Sequence, residues 1–294
     1  MTSQKIYQEP AKHIPIMTEQ VIEHLITESN GFYIDATFGQ GGHTRALLEN
    51  TDKDALILGI DRDSTAIAKG RCTFATEQRL ILRQGRFSAL AEIVNEFKRD
   101  VSGILMDVGI SSDQLEDAER GFSFSVDGPL DMRMDQTSGM PISEWLTTAS
   151  AEDIAKILKE FGEEPYADKI AAAIVDYRKS NSIVSTKQLS ALIVSCQPRR
   201  PLYKHHAATR SFQSLRIFIN KELEELRQGL DAAADLLKEG GRLAVITFHS
   251  LEGRQAKSLT SRMKLICKAK PNRDEILSNR RSRSAILRVM EAVA

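Results

Sequence analysis

Four short apolar runs recur at nearly constant spacing in the first third of the chain. They begin at Phe32, Leu56, Leu80 and Gly103, which places them 23 or 24 residues apart, with helical patterns between them. Parallel strands are joined by crossover connections of this length, usually a helix. Because the runs are continuously apolar, we expect both faces of the sheet to be covered. The spacing therefore predicts an open α/β sheet built from βαβ units.

The regular spacing stops after the fourth predicted strand. The next comparable run starts at Arg242, and a final one covers 285–289. Amphipathic helical patterns occupy the interval, at 151–161, 167–179, 186–195 and 209–237. We predict one domain made of 1–112 and 212–294, interrupted by a mostly helical insertion over 113–211 that recognises the substrate.

The composition is that of a globular protein, because 41% of the 294 residues are hydrophobic and 27% are charged. A chain of this length buries enough surface to fold without disulfides or a metal. The three cysteines are far apart and form no C-x-x-C motif, so we predict reduced thiols and no metal site. The first residues do not resemble a signal peptide, and no apolar run has the length of a bilayer span. We expect a soluble protein of the cytoplasm.

Charge is balanced overall but segregated along the chain. Basic and acidic residues number 40 each. The stretch 113–135 contains seven carboxylates and two arginines, whereas 254–288 contains 11 basic and two acidic residues. This pattern is compatible with two solvated faces, and also with an anionic partner bound at the basic end.

A glycine-rich turn follows the first predicted strand, in DATFGQGGHT (35–44). Such a turn lets the backbone approach a ligand and directs the N–H groups of a helix start toward anionic atoms. A dinucleotide fingerprint beginning at Gly39 would require glycine where Thr44 stands, and the chain has no P-loop motif. The turn therefore does not predict a pyrophosphate or nucleoside triphosphate site.

Asp61 lies 26 residues after Asp35, at the end of the second predicted strand. A carboxylate at this position can accept hydrogen bonds from both hydroxyls of a ribose. An adenosine ligand without phosphates fits both features, and S-adenosylmethionine is the candidate cofactor. The backbone N–H of His43 could hold its methionine carboxylate. The alternative is a purely structural turn in a flavodoxin-like fold.

Long segments of the chain, taken together, resemble the ribosomal RNA small subunit methyltransferase H (MraW) family. In the family's order they are HIPIMTEQV (13–21), DATFGQGGHT (35–44), GIDRD (59–63), GRFSAL (85–90), DVGISSDQLEDAERGFSFSVDGPLDMRMD (107–135), EFGEEPYADKIAAAIV (160–175), ATRSFQSLRIFINKELEEL (208–226), GGRLAVITFHSLEGR (240–254) and RSRSAILRV (281–289). The segment at 107–135 is the most specific, because no general requirement of a fold produces it.

This family transfers a methyl group from S-adenosylmethionine to N4 of a cytosine in the decoding centre of 16S ribosomal RNA. The resemblance therefore implies that activity, that cofactor, and 16S ribosomal RNA within the small ribosomal subunit as the partner. It also implies a Rossmann-like S-adenosylmethionine methyltransferase sheet, interrupted after its fourth strand by the helical insertion.

The resemblance further implies a set of cofactor-binding residues. They are Gly41, Gly42, His43, Asp61, Phe87, Asp107 and Gln114. An aromatic ring such as Phe87 can flank adenine, although ordinary core packing explains it as well. Asp107, at the end of the fourth strand, is the leading candidate to accept a hydrogen bond from the cytosine amine. His249 is the second catalytic candidate, for base contact or proton transfer, with a structural or RNA-contact role as the alternative.

Three positions depart from the family's pattern. Asp113 and Ala207 stand where the family generally has proline, and Gly253 replaces an aspartate. We expect these changes to affect loop conformation and substrate contacts rather than the cofactor site.

The basic stretch 254–288 is expected to face the RNA, because phosphates attract lysine and arginine. Four residues near the end of the insertion are expected to join it, namely Arg199, Arg200, Lys204 and Arg210. Two other classes of function compete with this hypothesis. One is an S-adenosylmethionine-dependent enzyme that acts on a protein or a small molecule. The other is a non-catalytic RNA-binding or ribosome-assembly module that retains the fold.

Overall fold

The computed structural model describes residues 15–198 and 206–293. Within them the strands are β1 (Phe32–Asp35), β2 (Leu56–Asp61), β3 (Leu80–Gln84), β4 (Val101–Asp107), β5 (Leu237–Thr247), β6 (Met263–Ala269) and β7 (Ile286–Ala292). The α-helices are α1 (Thr18–Leu25), α2 (Gly42–Glu49), α3 (Ser64–Thr73), α4 (Leu90–Asn95), α5 (Ser112–Glu116), α6 (Ile142–Thr148), α7 (Ala151–Gly162), α8 (Ala167–Tyr177), α9 (Thr186–Ser195), α10 (Thr209–Asn220), α11 (Glu222–Leu236), α12 (Ser250–Ser258) and α13 (Arg273–Ser278). None of these described helices is long and apolar enough to cross a membrane.

One sheet contains all of these strands, in the order β3-β2-β1-β4-β5-β7-β6. The strands from β3 to β5 are parallel, and β7 runs antiparallel between β5 and β6. Chain order runs outward in opposite directions from the β1–β4 pair, and this reversal opens a crevice at the carboxyl ends of the two strands. The prediction of a Rossmann-like α/β sheet interrupted after its fourth strand is confirmed.

Helices cover both faces of the sheet. On one face, Leu90 of α4 and Leu226 and Leu230 of α11 join a buried cluster with residues of β1, β2, β4 and β5. On the other face, Leu25 of α1 and Leu47 of α2 join a second cluster. Full burial of a leucine contributes about 1.5–3 kcal/mol. This packing holds in place the strand ends and the helix start that border the crevice.

Between β4 and β5 the chain forms a further apolar core. Helices α6 to α10 surround it, with Ile154 and Leu158 fully buried. This cluster is separate from the two clusters that pack on the sheet. Phe212 also lies in this core. The division between the insertion at 113–211 and the domain that resumes with 212–294 stays a prediction.

The predicted helix over 209–237 is wrong, because the structure has two helices there. Lys221, between α10 and α11, has a φ of 51°, in the left-handed region. Apolar residues keep helical spacing across this break, so periodicity could not reveal it. Helix α10 packs in the helical core and α11 packs on the sheet. Strand β5 then starts at Leu237 rather than at Arg242.

The sequence analysis also missed β6. This strand lies at the edge of the sheet, and its lysines Lys264 and Lys268 are exposed. Lysines on an edge strand discourage pairing with other chains. The same charges interrupt the apolar run by which a buried strand is recognised in a sequence.

Candidate cofactor and active site

Three strands of the sheet end in aspartate. Asp35 closes β1, Asp61 closes β2 and Asp107 closes β4. Because the carboxyl ends of parallel neighbours meet at one edge, these carboxylates border the crevice at the β1–β4 reversal. The structure thus brings Asp61 and Asp107, which were predicted as site residues, together with Asp35. The sequence analysis had used Asp35 only to state the spacing of Asp61.

The loop from β1 to α2 supplies backbone to this crevice. Gly39 and Gly41 have φ values of 51° and 74°, in the region that favours glycine. A Cβ on Gly41 would lie 2.6 Å from Cε2 of Phe74 and 2.8 Å from Cζ of Phe38, so the packing also demands glycine. Helix α2 begins at Gly42, and the first N–H groups of a helix have no partner within it. The loop therefore offers backbone donors to an anionic group.

Two backbone N–H groups fix the Asp61 carboxylate. Gly39 N donates to Oδ2 at 2.7 Å, and Asp63 N donates to Oδ1 at 2.8 Å. Burial, only partly offset by these hydrogen bonds, raises the pKa of Asp61 to about 6. A carboxylate has about four lone-pair sites. Each oxygen of Asp61 therefore keeps the capacity to accept a hydrogen bond from a ribose hydroxyl.

The imidazole of His43 lies beside Asp107, with Nε2 at 3.7 Å from Oδ2. Among the described residues, neither ring nitrogen of His43 has a hydrogen-bond partner, and neither has Oδ1 of Asp107, although all three atoms are buried. The Asp107 N–H donates to Thr37 Oγ1 at 2.7 Å. Close by, Asp35 accepts a hydrogen bond from Thr44 Oγ1 at 2.7 Å, and burial raises the pKa of its carboxyl.

Buried polar atoms without a protein partner mark a place where a ligand can complete the hydrogen bonding. The charged amino and carboxylate groups of a methionine moiety fit the open positions on His43 and Asp107. The two hydroxyls of a ribose fit the open positions on Asp61. The residues of the crevice therefore fit S-adenosylmethionine, and the contact assigned to each residue stays a prediction.

The side chain of Gln114 is buried and bonded to protein groups. Its Oε1 accepts from Ser111 N at 3.1 Å, which is half of a capping box at the start of α5. Its Nε2 donates to Asp63 Oδ2 at 2.9 Å, and Arg120 Nη1 donates to the same oxygen at 2.6 Å. Burial opposes ionisation of Asp63, but these hydrogen bonds outweigh it and hold the pKa below its usual value. The cofactor contact of Gln114 stays a prediction.

Sequence reasoning missed Asp63 and Arg120. Both lie in segments that carry the family resemblance, GIDRD (59–63) and RGFSF (120–124). The pairing itself joins positions 57 residues apart, so no local pattern could announce it. The position of both residues in segments that carry the family resemblance was the only indication of their importance in the sequence.

Phe87 packs against a helix that covers the sheet, and His249 lies beside a glutamate of α12. A Cβ on Gly229 of α11 would lie 2.6 Å from the Cβ of Phe87, so the half-buried phenylalanine packs on that helix. His249 precedes α12, and its Nε2 lies 2.8 Å from Oε1 of Glu252. The other oxygen of Glu252 accepts from Phe248 N at 2.7 Å. The cofactor contact of Phe87 and the catalytic role of His249 stay predictions.

Asp113, one of the departures from the family's pattern, connects three elements. It accepts a hydrogen bond from Nε2 of Gln40 in the glycine-rich loop. It also accepts from Lys69 Nζ of α3 at 2.9 Å. The side chain at this position therefore ties the start of α5 to the loop that borders the crevice.

Gly253, a second departure, lies in α12 above a buried arginine. A Cβ at this position would lie 3.6 Å from Nη2 of Arg288, an ordinary contact. Arg288 is only 9% exposed, and its Nη1 donates to Thr247 Oγ1 at 3.2 Å. Burial lowers the pKa of Arg288, and no carboxylate among the described residues offsets that effect. The guanidinium therefore lacks the counter-charge that an aspartate at 253 could supply.

An exposed arginine cluster follows α13. It consists of Arg280, Arg281 and Arg283. Arg281 Nη2 lies 3.3 Å from Glu116 Oε1, at the end of α5. Because α5 begins in the loop after β4, the arginine cluster lies near the rim of the crevice.

Four further residues were predicted to face the RNA. Arg199, Arg200 and Lys204 lie outside the described residues. Arg210 lies in α10, where its Nη1 donates to the carbonyl of Glu163 at 2.8 Å. That hydrogen bond engages one edge of the Arg210 guanidinium with the helical segment.

The sequence model of the MraW methylase family matches residues 10–293 of the chain. Three relatives, each named ribosomal RNA small subunit methyltransferase H, come from Marinomonas sp. (strain MWYL1), Idiomarina loihiensis (strain ATCC BAA-735 / DSM 15497 / L2-TR) and Alcanivorax borkumensis (strain ATCC 700651 / DSM 11573 / NCIMB 13689 / SK2). They are 45%, 44% and 44% identical to this chain. The matches cover 97%, 96% and 96% of the chain and 98%, 97% and 97% of the relatives.

Proposed function

Because the chain belongs to the MraW methylase family, we propose that it methylates the N4 exocyclic amine of a cytosine in the decoding centre of 16S ribosomal RNA. Membership confirms the prediction of a methyltransferase that uses S-adenosylmethionine. The observation that carries the proposal is the crevice between β1 and β4, where Asp107 ends a strand beside the buried His43 imidazole.

S-adenosylmethionine supplies an electrophilic methyl group when it is bound. The exocyclic amine of cytosine is a poor nucleophile, because its lone pair is delocalised into the ring. The Asp107 carboxylate is 24% exposed and can accept a hydrogen bond from this amine, which aligns the lone pair for attack. After transfer the nitrogen must lose a proton. Asp107 and His43, 3.7 Å apart, are the pair of groups that can receive it.

The remaining residues of the crevice bind and orient the cofactor in this proposal. The backbone at Gly41, Gly42 and His43 holds the methionine carboxylate, because a helix start favours an anion. Asp61 accepts hydrogen bonds from the ribose. Phe87 and Gln114 complete the pocket on the adenine side.

The shared name of the three relatives supports an RNA of the small ribosomal subunit as the substrate, and hence a reaction in the cytoplasm. The target cytosine must be unstacked before its amine can enter the crevice. In this proposal the helical insertion at 113–211 recognises the RNA, and the arginine cluster at 280–283 contacts phosphates near the rim.

Methyl transfer from labelled S-adenosylmethionine to small subunits that lack the modification tests the proposal. After digestion of the RNA, the label is expected in N4-methylcytidine from the decoding centre, and the Asp107→Asn enzyme should yield far less. Label in another nucleoside, or at another site, would contradict the proposed specificity.

The same experiment distinguishes the competing functions. An enzyme that acts on a protein or a small molecule would bind the cofactor and leave the RNA unlabelled. A non-catalytic RNA-binding module would bind the particles without transferring label, and calorimetry would detect no cofactor binding.

A further inference from the structure

Arg120, which follows α5, connects the turn after β2 to residues 133–134, ahead of α6. Its side chain is 8% exposed, and its guanidinium contacts two separate parts of the chain. Nη1 donates to Asp63 Oδ2 at 2.6 Å. Nη2 donates to the carbonyls of Met134 at 2.7 Å and Arg133 at 3.2 Å. One buried side chain therefore joins the turn that carries Asp63 to the acidic segment that precedes α6.

Asp63 links Arg120 to Asp61 through hydrogen bonds. The carboxylate of Asp63 accepts from Arg120 and Gln114 on one oxygen and from Thr65 N, at 2.9 Å, on the other. Both oxygens are bonded, so the position of the residue is fixed. The N–H of Asp63 then donates to Oδ1 of Asp61 at 2.8 Å. Arg120 therefore holds the side chain of Asp63, and the backbone N–H of Asp63 holds the carboxylate of Asp61, which we assign to the ribose.

We propose that Arg120 is a positioning residue for the cofactor, which acts through Asp63 to set the Asp61 carboxylate against the two ribose hydroxyls. This inference rests on the ribose contact assigned to Asp61 in the proposed function. A planar guanidinium can bond a carboxylate and two carbonyls at once, whereas the point charge of a lysine cannot reproduce that geometry. If the guanidinium is removed, the carboxylate of Asp63 is buried without a cation. A buried charge without a partner is unfavourable, so we expect the turn after β2 to shift.

The test measures how strongly the protein distinguishes a ribose from a 2′-deoxyribose. If Arg120 had a structural role alone, its replacement would leave this discrimination unchanged. The probes are S-adenosylhomocysteine and its 2′-deoxy analogue, with affinities measured by calorimetry. For the wild-type protein we expect the analogue to bind about tenfold more weakly, because a hydrogen bond to a charged group is lost. In Arg120→Gln and Arg120→Lys this ratio should fall to about threefold or less, because the carboxylate is no longer held in register.

Two further variants complete the design. Arg242→Gln is the matched control, because Arg242 in β5 also bonds a carboxylate, Glu291 at 3.0 Å, and a carbonyl, that of His24 at 2.8 Å. It should lower the melting temperature and leave the affinity ratio at the wild-type value. Asp61→Asn should itself lose the discrimination between the two probes.

The outcomes separate the two hypotheses. If Asp61→Asn discriminates as well as the wild type, the ribose contact in the proposed function is wrong. If Asp61→Asn loses discrimination while the Arg120 variants keep it, only the positioning role of Arg120 is overturned. Arg120→Lys retains a positive charge beside Asp63. If Arg120→Gln does not fold, the affinity ratio is measured with Arg120→Lys instead.

Discussion

The Nε2 atom of His43, at the start of α2, lies 3.7 Å from Oδ2 of Asp107, at the end of β4. Both ring nitrogens of His43 are buried and have no hydrogen-bond partner among the described residues. The pair joins the glycine-rich loop to the strand that borders it in the sheet. In the proposed reaction the pair lies where the cofactor meets the amine, with Asp107 placed to accept a hydrogen bond from that amine.

Asp107→Asn is expected to slow methyl transfer more than it weakens cofactor binding. The amide keeps the size of the side chain but cannot receive the proton, and loss of a general base costs about 100-fold or more in rate. The single-turnover rate, measured with labelled cofactor, should fall by that amount, and calorimetry should show a smaller loss of cofactor affinity. Equal losses in rate and affinity would mean that Asp107 has a binding role alone.

Cofactor affinity is expected to fall as the pH drops through 6. Burial raises the pKa of Asp61 to about 6, so its carboxylate is protonated below that pH and accepts fewer hydrogen bonds from the ribose. Between pH 7 and pH 5 the ionised fraction falls about tenfold, and affinity should follow it. Asp61→Asn should bind weakly at pH 7 and show no such decline. A decline that persists in this variant would assign the titration to another group, such as Asp35.

Gly253→Asp is expected to stabilise the protein by about 1–2 kcal/mol. The new carboxylate would lie near the guanidinium of Arg288, which is buried without a counter-charge, and the Cβ would make only ordinary contacts. Urea denaturation measures the free energy of unfolding.

Replacement of a helical glycine by itself contributes about 0.5–1 kcal/mol. Gly253→Ala supplies that part, and Gly253→Asn matches the shape of aspartate without its charge. If the aspartate variant is no more stable than these two, Arg288 gains nothing from a carboxylate at 253.

Strands β1, β2 and β4 were predictable because they lie inside the sheet and appear in the sequence as continuous apolar runs. Strands β3 and β6 both lie at edges of the sheet, but β3 keeps an apolar run over 80–82, whereas the exposed Lys264 and Lys268 interrupt β6. The break at Lys221 was hidden for a different reason. The residue in the left-handed conformation is a lysine rather than a glycine, and Asn220, the last residue of α10, was not recognised as a helix end because the apolar spacing continues past it.

The site shows the same division between local and distant information. Asp61 was found because a strand end and its carboxylate are adjacent in the sequence, and Asp107 was named through the family resemblance. The Asp63–Arg120 pair was missed because its two residues lie 57 positions apart in the sequence. Likewise, no spacing rule brings the His43 ring to Asp107, since that contact depends on the neighbouring positions of β1 and β4.

Replacing Arg280, Arg281 and Arg283 by glutamine is expected to weaken binding of small ribosomal subunits and leave cofactor affinity unchanged. All three side chains are exposed, and the exposed pair of Arg281 with Glu116 contributes little to stability. Each phosphate contact that is lost should reduce the slope of log affinity against log salt by about 0.7–0.9. Binding of particles across a salt series measures that slope, and calorimetry measures the cofactor.

A structural role for these arginines, as a brace for β7, would have a different signature. The melting temperature would then fall, and the salt slope would stay at the wild-type value. The matched control replaces three exposed basic residues at the amino ends of the strands, on the side of the sheet away from the crevice. They lie in the loops before β2 and β4, namely Lys53, Lys98 and Arg99. This variant carries the same change in net charge and should bind particles with nearly the wild-type slope. A stable arginine-cluster variant that binds as tightly as the control at every salt concentration would rule out this surface as the RNA contact.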